Sequence, residues 1–353
     1  MDYGYDTVGN RVSKKITKDG VTKEVSSQYN EANQLVQVGD KKYVYDANGN
    51  LQSDGNRTYE YNEFDQLVKI KDSTGKVLAE YSYDEEGRRI FSNDSHGKTF
   101  YTYNSNQVLY EEDENKNVIK GYTYDDDGHP LTMFYKGNTY YYLTNYRGDV
   151  LAMTDESGKV VASYTYDAWG NILSQSGELA EINPYRYAGY RYDDDTKLYY
   201  LMARYYNPEN GVFLLLDPVR GDLLEPQTLN GYNYAHNNPV MFIDPDGTKA
   251  KYIKIKRKIV AIAIDLALIF IPGIVAIKSA IKLGKLRNVS SFKLRQVTDE
   301  AIKRIPYQII GATITMIVNG ILTVLGKSFG EIIANVLDSL DKKYDGYITV
   351  RYK

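Results

Sequence analysis

The 353 residues suffice for two domains with a substantial buried core. The absence of cysteine excludes disulfides and cysteine-ligated zinc. A formal charge of −3 conceals an asymmetry: residues 1–247 carry 24 basic and 39 acidic side chains, residues 248–353 carry 19 and 7, so the second part is drawn to anionic partners and to the first part.

The N-terminal sequence MDYGYDTVGNRV has no charged-then-apolar leader and opens inside a repeat, as expected for the distal part of something longer. YDTVGN (5–10), YDANGN (45–50), YDEEGR (83–88), YDDDGH (124–129) and YDAWGN (166–171) start 40, 38, 41 and 42 residues apart. YNEANQLVQV (29–38) and YNEFDQLVKI (61–70) fall between them, which gives a strand–turn–strand unit of about 20 residues. Alternating tyrosines in YTYD, YSYD and YEYN share one strand face. Asp or Asn then opens a turn by bonding the backbone, and Gly supplies the positive-φ position. The expected fold over this part is a β-rich shell with tyrosine ladders across strands. Since tyrosine buries its ring and keeps its hydroxyl wet, such a shell can line a hydrated cavity, and aromatic arrays also suit cell-wall polysaccharide.

Residues 183–247 read NPYRYAGYRYDDDTKLYYLMARYYNPENGVFLLLDPVRGDLLEPQTLNGYNYAHNNPVMFIDPDG. Together with the repeats of residues 1–182, this stretch resembles the RHS-associated core of YD-repeat proteins, in particular their Gram-positive, wall-associated, WapA-like members. The resemblance implies a spiralling β-shell of the teneurin type, plugged by the core and enclosing a variable C-terminal toxin used between competing bacteria. It implies self-cleavage just after the core through aspartates and an arginine. Asp244-Pro245-Asp246-Gly247 matches one half of that motif and Asp217-Pro218 the other, one residue wider; Asp217 and Asp244 are the candidate catalytic residues. Where relatives have Gly-Arg-Phe, this chain has Gly211-Val212-Phe213, so the arginine is missing from its usual place. Without cleavage, the two aspartates would simply cap turns.

After Gly247 the chemistry changes. KAKYIKIKRK is followed by an apolar run at 259–277 interrupted by Asp265, a basic amphipathic stretch, a second apolar run at 309–326 and an amphipathic helix pattern at 327–343. Both runs are long enough to cross a bilayer, basic flanks favour anionic lipid, and Gly326 with Gly330 forms a GxxxG packing motif. This part, 248–353, is therefore expected to be a separate, mostly α-helical effector that inserts into target-cell membrane lipid and depolarises it. Its partners would be that lipid and a cognate immunity protein, with no nucleic acid. Asp265 and Pro272 mark the places where insertion would be strained. The alternatives are a soluble helical toxin with an intracellular target, or a wall-binding repeat protein with an inert tail. All three histidines precede residue 248, the tail's acids show no nuclease or glycosidase spacing, and no phosphate-binding loop or cofactor motif is present, so no cofactor is expected.

Overall fold

The computed structural model describes residues 1–18, 20–256 and 347–349. The chain divides into two compact units, Met1–Lys251 and Tyr252–Lys353. The apolar runs 259–277 and 309–326, with Asp265, Pro272, Gly326 and Gly330, lie outside the described residues, as does the expected helical effector fold. Of the second unit, the strand Lys254–Lys256 pairs antiparallel with Tyr347–Thr349.

In the first unit the described residues form strands and turns, with short 3-10 turns and no α-helix. A five-stranded antiparallel sheet runs from Asp2–Tyr5 to Lys41–Lys42. A fourteen-stranded one begins two residues later at Val44–Tyr45 and ends at Ile172–Ser176, each strand pairing with its sequence neighbour. The sheets curl until the first hairpin meets the turn before the last strand. There the Tyr3 ring stands edge-on to Trp169 at 6.0 Å, and the Arg11 guanidinium lies 4.6 Å from the centre of the indole.

The repeat motif explains itself at Asp84. Its carboxylate accepts the backbone N–H groups of Glu86 and Arg88 at 3.1 and 2.8 Å, and its carbonyl accepts that of Gly87. Gly87 sits at φ +78°, where a side chain would be strained. The register shifts between Ser82 and Tyr83, a bulge that recurs at Thr102/Tyr103, Thr123/Tyr124 and Thr165/Tyr166. The bulged tyrosine is followed by Asp at Tyr83, Tyr124 and Tyr166 and by Asn at Tyr103, so the Tyr-Asp or Tyr-Asn pair marks the hairpin end.

The tyrosine hydroxyls are not in water along a hydrated cavity, as the sequence had suggested. Tyr81, Tyr122, Tyr142 and Tyr164 are buried, and the tyrosine two residues after the first of each Tyr-x-Tyr pair donates across the sheet. Tyr83 bonds the Leu67 carbonyl at 2.6 Å, Tyr103 that of Arg89 at 2.8 Å, Tyr124 that of Val108 at 2.7 Å and Tyr166 that of Val150 at 2.8 Å. The core segment packs against this inward face and supplies partners such as Tyr185 and Tyr205 to its hydroxyls. Tyr124→Phe also removes a 2.6 Å bond to the Tyr185 hydroxyl. It should cost about 1–3 kcal/mol, the usual range for a buried polar group left unpaired, read as a lowered urea midpoint at unchanged slope.

That core segment forms a four-stranded sheet, Arg191–Asp193, Leu198–Leu201, Arg204–Asn207 and Val212–Phe213, whose two middle strands are buried at every residue. Leu198, Tyr200, Tyr205 and Leu214 pack on Leu51, Tyr59, Leu67, Ile70 and Tyr81 of the repeats. Buried ion pairs bolt the two together. Arg89 grips Asp193 with both terminal nitrogens at 2.5 and 3.0 Å, and Arg191 reaches Glu111 at 2.6 Å.

Candidate functional site at the end of the core

The strand Arg204–Asn207 and the turn at Asp244–Gly247 bring together the two aspartates singled out in the sequence. Between them stands a residue the sequence reading passed over, Arg204, only 2 % exposed. Its Nη2 lies 2.7 Å from Asp217 and 3.3 Å from Asp244, its Nη1 donates to the Gly231 carbonyl at 2.8 Å, and its Nε donates to the Gly247 carbonyl. An arginine from a different strand than position 212 thus stands between the two aspartates. A signal was present: an arginine inside LYYLMARYY, a stretch of otherwise apolar and aromatic residues, must find buried acceptors or remain outside.

Asp244 is almost fully buried, and its Oδ1 accepts the backbone N–H groups of Gly247, Thr248 and Lys249 at 3.0, 3.1 and 3.1 Å. Burial pushes its carboxyl above the ordinary carboxylate range despite the pull of Arg204. Asp217 is raised in the same way. It also accepts the Val219 N–H at 2.8 Å, so it caps a turn while facing the guanidinium. Asp246 behaves oppositely: burial raises it, but the Thr248 hydroxyl and Lys251 outweigh that and hold it below the usual range. Gly247 sits at φ +75°, and a Cβ there would come within 2.6 Å of the Leu201 carbonyl oxygen, so only glycine brings its carbonyl onto Arg204. The arrangement is two carboxyls with raised proton affinity, an ionised third, and a guanidinium on a peptide carbonyl, all at the point where the core ends.

Two other groups of His and Asp approach metal-ligand spacing among the described residues, Asp94/His96/Asp195 and Asp125/Asp127/His129. Asp94 and Asp125 are engaged as turn caps, Asp94 accepting the His96 N–H and Asp125 the N–H groups of Asp127 and His129, while Asp195 accepts the Ser95 N–H from the facing repeat turn. Nothing in these turns distinguishes a metal site from the turn grammar of the other repeats.

The Teneurin YD-shell family model matches residues 1–240. The chain is 47% identical over 251 residues to the tRNA3(Ser)-specific nuclease WapA of Bacillus spizizenii, and 47% identical over 252 residues to the tRNA nuclease WapA of Bacillus subtilis. Each match covers 70% of this chain and 11% of the relative, so the chain spans about a tenth of the length of these proteins. A crystal structure of TcdB2-TccC3-Cdc42 matches at a TM-score of 0.45 and 19% identity, covering 70% of this chain and 17% of that one.

These relatives overturn the expectation of a membrane-depolarising effector with lipid as its partner and no nucleic acid, since both are named as tRNA nucleases. The physical reason for the error is that hydropathy and basic charge do not discriminate. An apolar run broken near Pro272 fits a buried core as well as a bilayer, and a positive surface attracts phosphate in RNA as it does in lipid. Among the described residues no helix is long and apolar enough to cross a membrane. With its repeat grammar, curled sheets and buried core segment, the chain belongs to the Teneurin YD-shell family.

Proposed function

We propose that this chain is the distal part of an exported or cell-associated YD-shell toxin, in which repeats (1–182) and core (183–247) carry an effector (248–353) directed at tRNA. The observation that supports this most is the 47% identity to two proteins named as tRNA nucleases. The net positive charge after Gly247 agrees with a polyanionic substrate, and the acidic repeats would hold such an effector before release. Purified full-length chain should degrade a total tRNA pool, and the chain truncated after Gly247 should leave it intact. Undamaged tRNA, with loss of a different nucleic acid or of none, would overturn the assignment of substrate.

The geometry at the junction supports a second activity of the same chain, cutting its own backbone just after the core. Arg204 draws electron density from the Gly247 carbonyl, and Asp217 and Asp244 hold protons more readily than ordinary carboxyls, as an acid that protonates a leaving amine must. Lowering the pH from about 7 toward about 5 should therefore speed the cut, since more of the buried carboxyl pair then carries a proton. Intact mass measured against time at each pH checks this; a rate that only falls on acidification would exclude a carboxylic acid as donor.

A further inference from the structure

The junction contains more than an aspartate pair. Thr248 follows Gly247, which takes a φ of +75°, and its hydroxyl donates to Asp246 Oδ1 at 2.8 Å. Its amide N–H lies 3.1 Å from Asp244 Oδ1, and the carbonyl before it is bonded by Arg204 Nε. By covalent geometry a Thr Oγ can reach the carbonyl carbon of the preceding residue, closing a five-membered ring, and no substrate need diffuse in. The four groups around the Gly247–Thr248 bond thus correspond to a nucleophile, a base, an acid and an electrophilic clamp. Asp246 and Thr248 also line an open cleft of about 400 Å³ beside Met202, Ala203 and Leu215, which gives water a route to the same bond.

Resting on the self-processing reading above, we propose that Thr248 is the nucleophile of the cut and that the chain breaks between Gly247 and Thr248 through an ester. Thr248 Oγ gives its proton to the Asp246 carboxylate and forms a bond to the Gly247 carbonyl carbon. Charge developing on the carbonyl oxygen is met by the Arg204 guanidinium. The C–N bond then breaks, and the Thr248 nitrogen takes a proton from the Asp244 carboxyl. This leaves the Gly247 acyl group on Thr248 Oγ and a free α-amine. Water entering through the cleft hydrolyses the ester, yielding the Gly247 carboxylate and restoring the Thr248 hydroxyl, so that one water is consumed for one peptide bond. The opposite displacements of Asp244 and Asp246 suit these roles, the first retaining a proton and the second free to accept one.

The test uses the full chain. The released fragment should begin at Thr248, and hydroxylamine should trap the ester as a Gly247 hydroxamate of the matching mass. Thr248→Ser should keep the cut within a few-fold, whereas Thr248→Val, of nearly the same shape, should slow it by ~10²-fold or more, as expected on removing a nucleophile whose only replacement is water. Asp246→Asn should slow ester formation without shifting the site. A cut at a different bond, or Thr248→Val processing at the parental rate while Arg204, Asp217 and Asp244 remain necessary, would remove the threonine and leave self-processing standing. A chain that stays whole at every pH would remove both.

Discussion

Arg204→Met should abolish measurable self-cleavage and lower the stability of the first unit. In the parent, one guanidinium serves the Asp217 and Asp244 carboxylates and the Gly231 and Gly247 carbonyls. Methionine fills much of the volume but offers no donor. The cut loses the charge that stabilises its oxyanion, an effect of about 10²–10³-fold for a single donor in other enzymes. Two largely buried carboxyls lose their counter-charge at the same time, and breaking such an arrangement from one side costs about 3–5 kcal/mol. The pH dependence carries a sign. Both carboxyls have folded-state proton affinities raised by burial, and removing the arginine raises them further. A carboxyl raised in the fold favours folding most below its unfolded value of about 4, and that contribution is lost as pH rises through the folded value. The deficit of Arg204→Met should accordingly shrink on acidification from neutral pH, read from urea midpoints at two pH values. A deficit independent of pH would mean that the loss comes from packing against Phe213, whose ring centre lies 3.6 Å from the guanidinium carbon, and not from the carboxyls.

Glu111→Gln should destabilise the same unit by a comparable amount from a different place. Glu111 sits on a repeat strand, 2 % exposed, and accepts Arg191 of the core at 2.6 Å, the Tyr122 hydroxyl at 2.6 Å and Lys120 at 3.2 Å. Burial alone would raise its carboxyl, but Lys120, Arg191 and Tyr122 outweigh it and pull the value down to about 2. A carboxylate depressed in this way stabilises the fold above its unfolded value of about 4.3 and loses that contribution as pH falls toward 2. At about 1.4 kcal/mol per unit, the contribution at neutral pH is about 3 kcal/mol. The neutral amide leaves Arg191 buried among Tyr101, Tyr122 and Tyr185 with no carboxylate. Chemical denaturation at pH 7 should show the loss. Pairing Glu111→Leu with Arg191→Met should restore much of it, because replacing both partners of a buried pair by apolar groups is often neutral. A double variant as unstable as the single one would show that the charges do more than offset each other.

These two arginines mark the division between what was legible along the chain and what was not. The turn grammar is local. In Asp84-Glu85-Glu86-Gly87-Arg88 the carboxylate, the two amides it accepts and the positive-φ glycine all lie within five residues, so the pattern of residue types already states the structure. The period of about 20 residues and its strand–turn–strand unit follow from the same kind of information. Asp217 and Asp244 could be picked out because each precedes a proline in a recognisable motif.

The linear sequence determined, then, the strands, the turns, the family and the two acids. Only the tertiary structure decided which charge meets which. Arg204 lies 40 residues from Asp244, Arg191 lies 80 from Glu111 and Arg89 lies 104 from Asp193. Their pairing depends on the core sheet being inserted against the inner face of the repeats. It was this insertion that converted tyrosines expected at a wet wall into buried donors, and an overlooked strand arginine into the centre of the junction. A side chain's electrostatic partner is set by three-dimensional proximity in a medium that screens poorly, and that proximity exists only once the sheets have curled around the core.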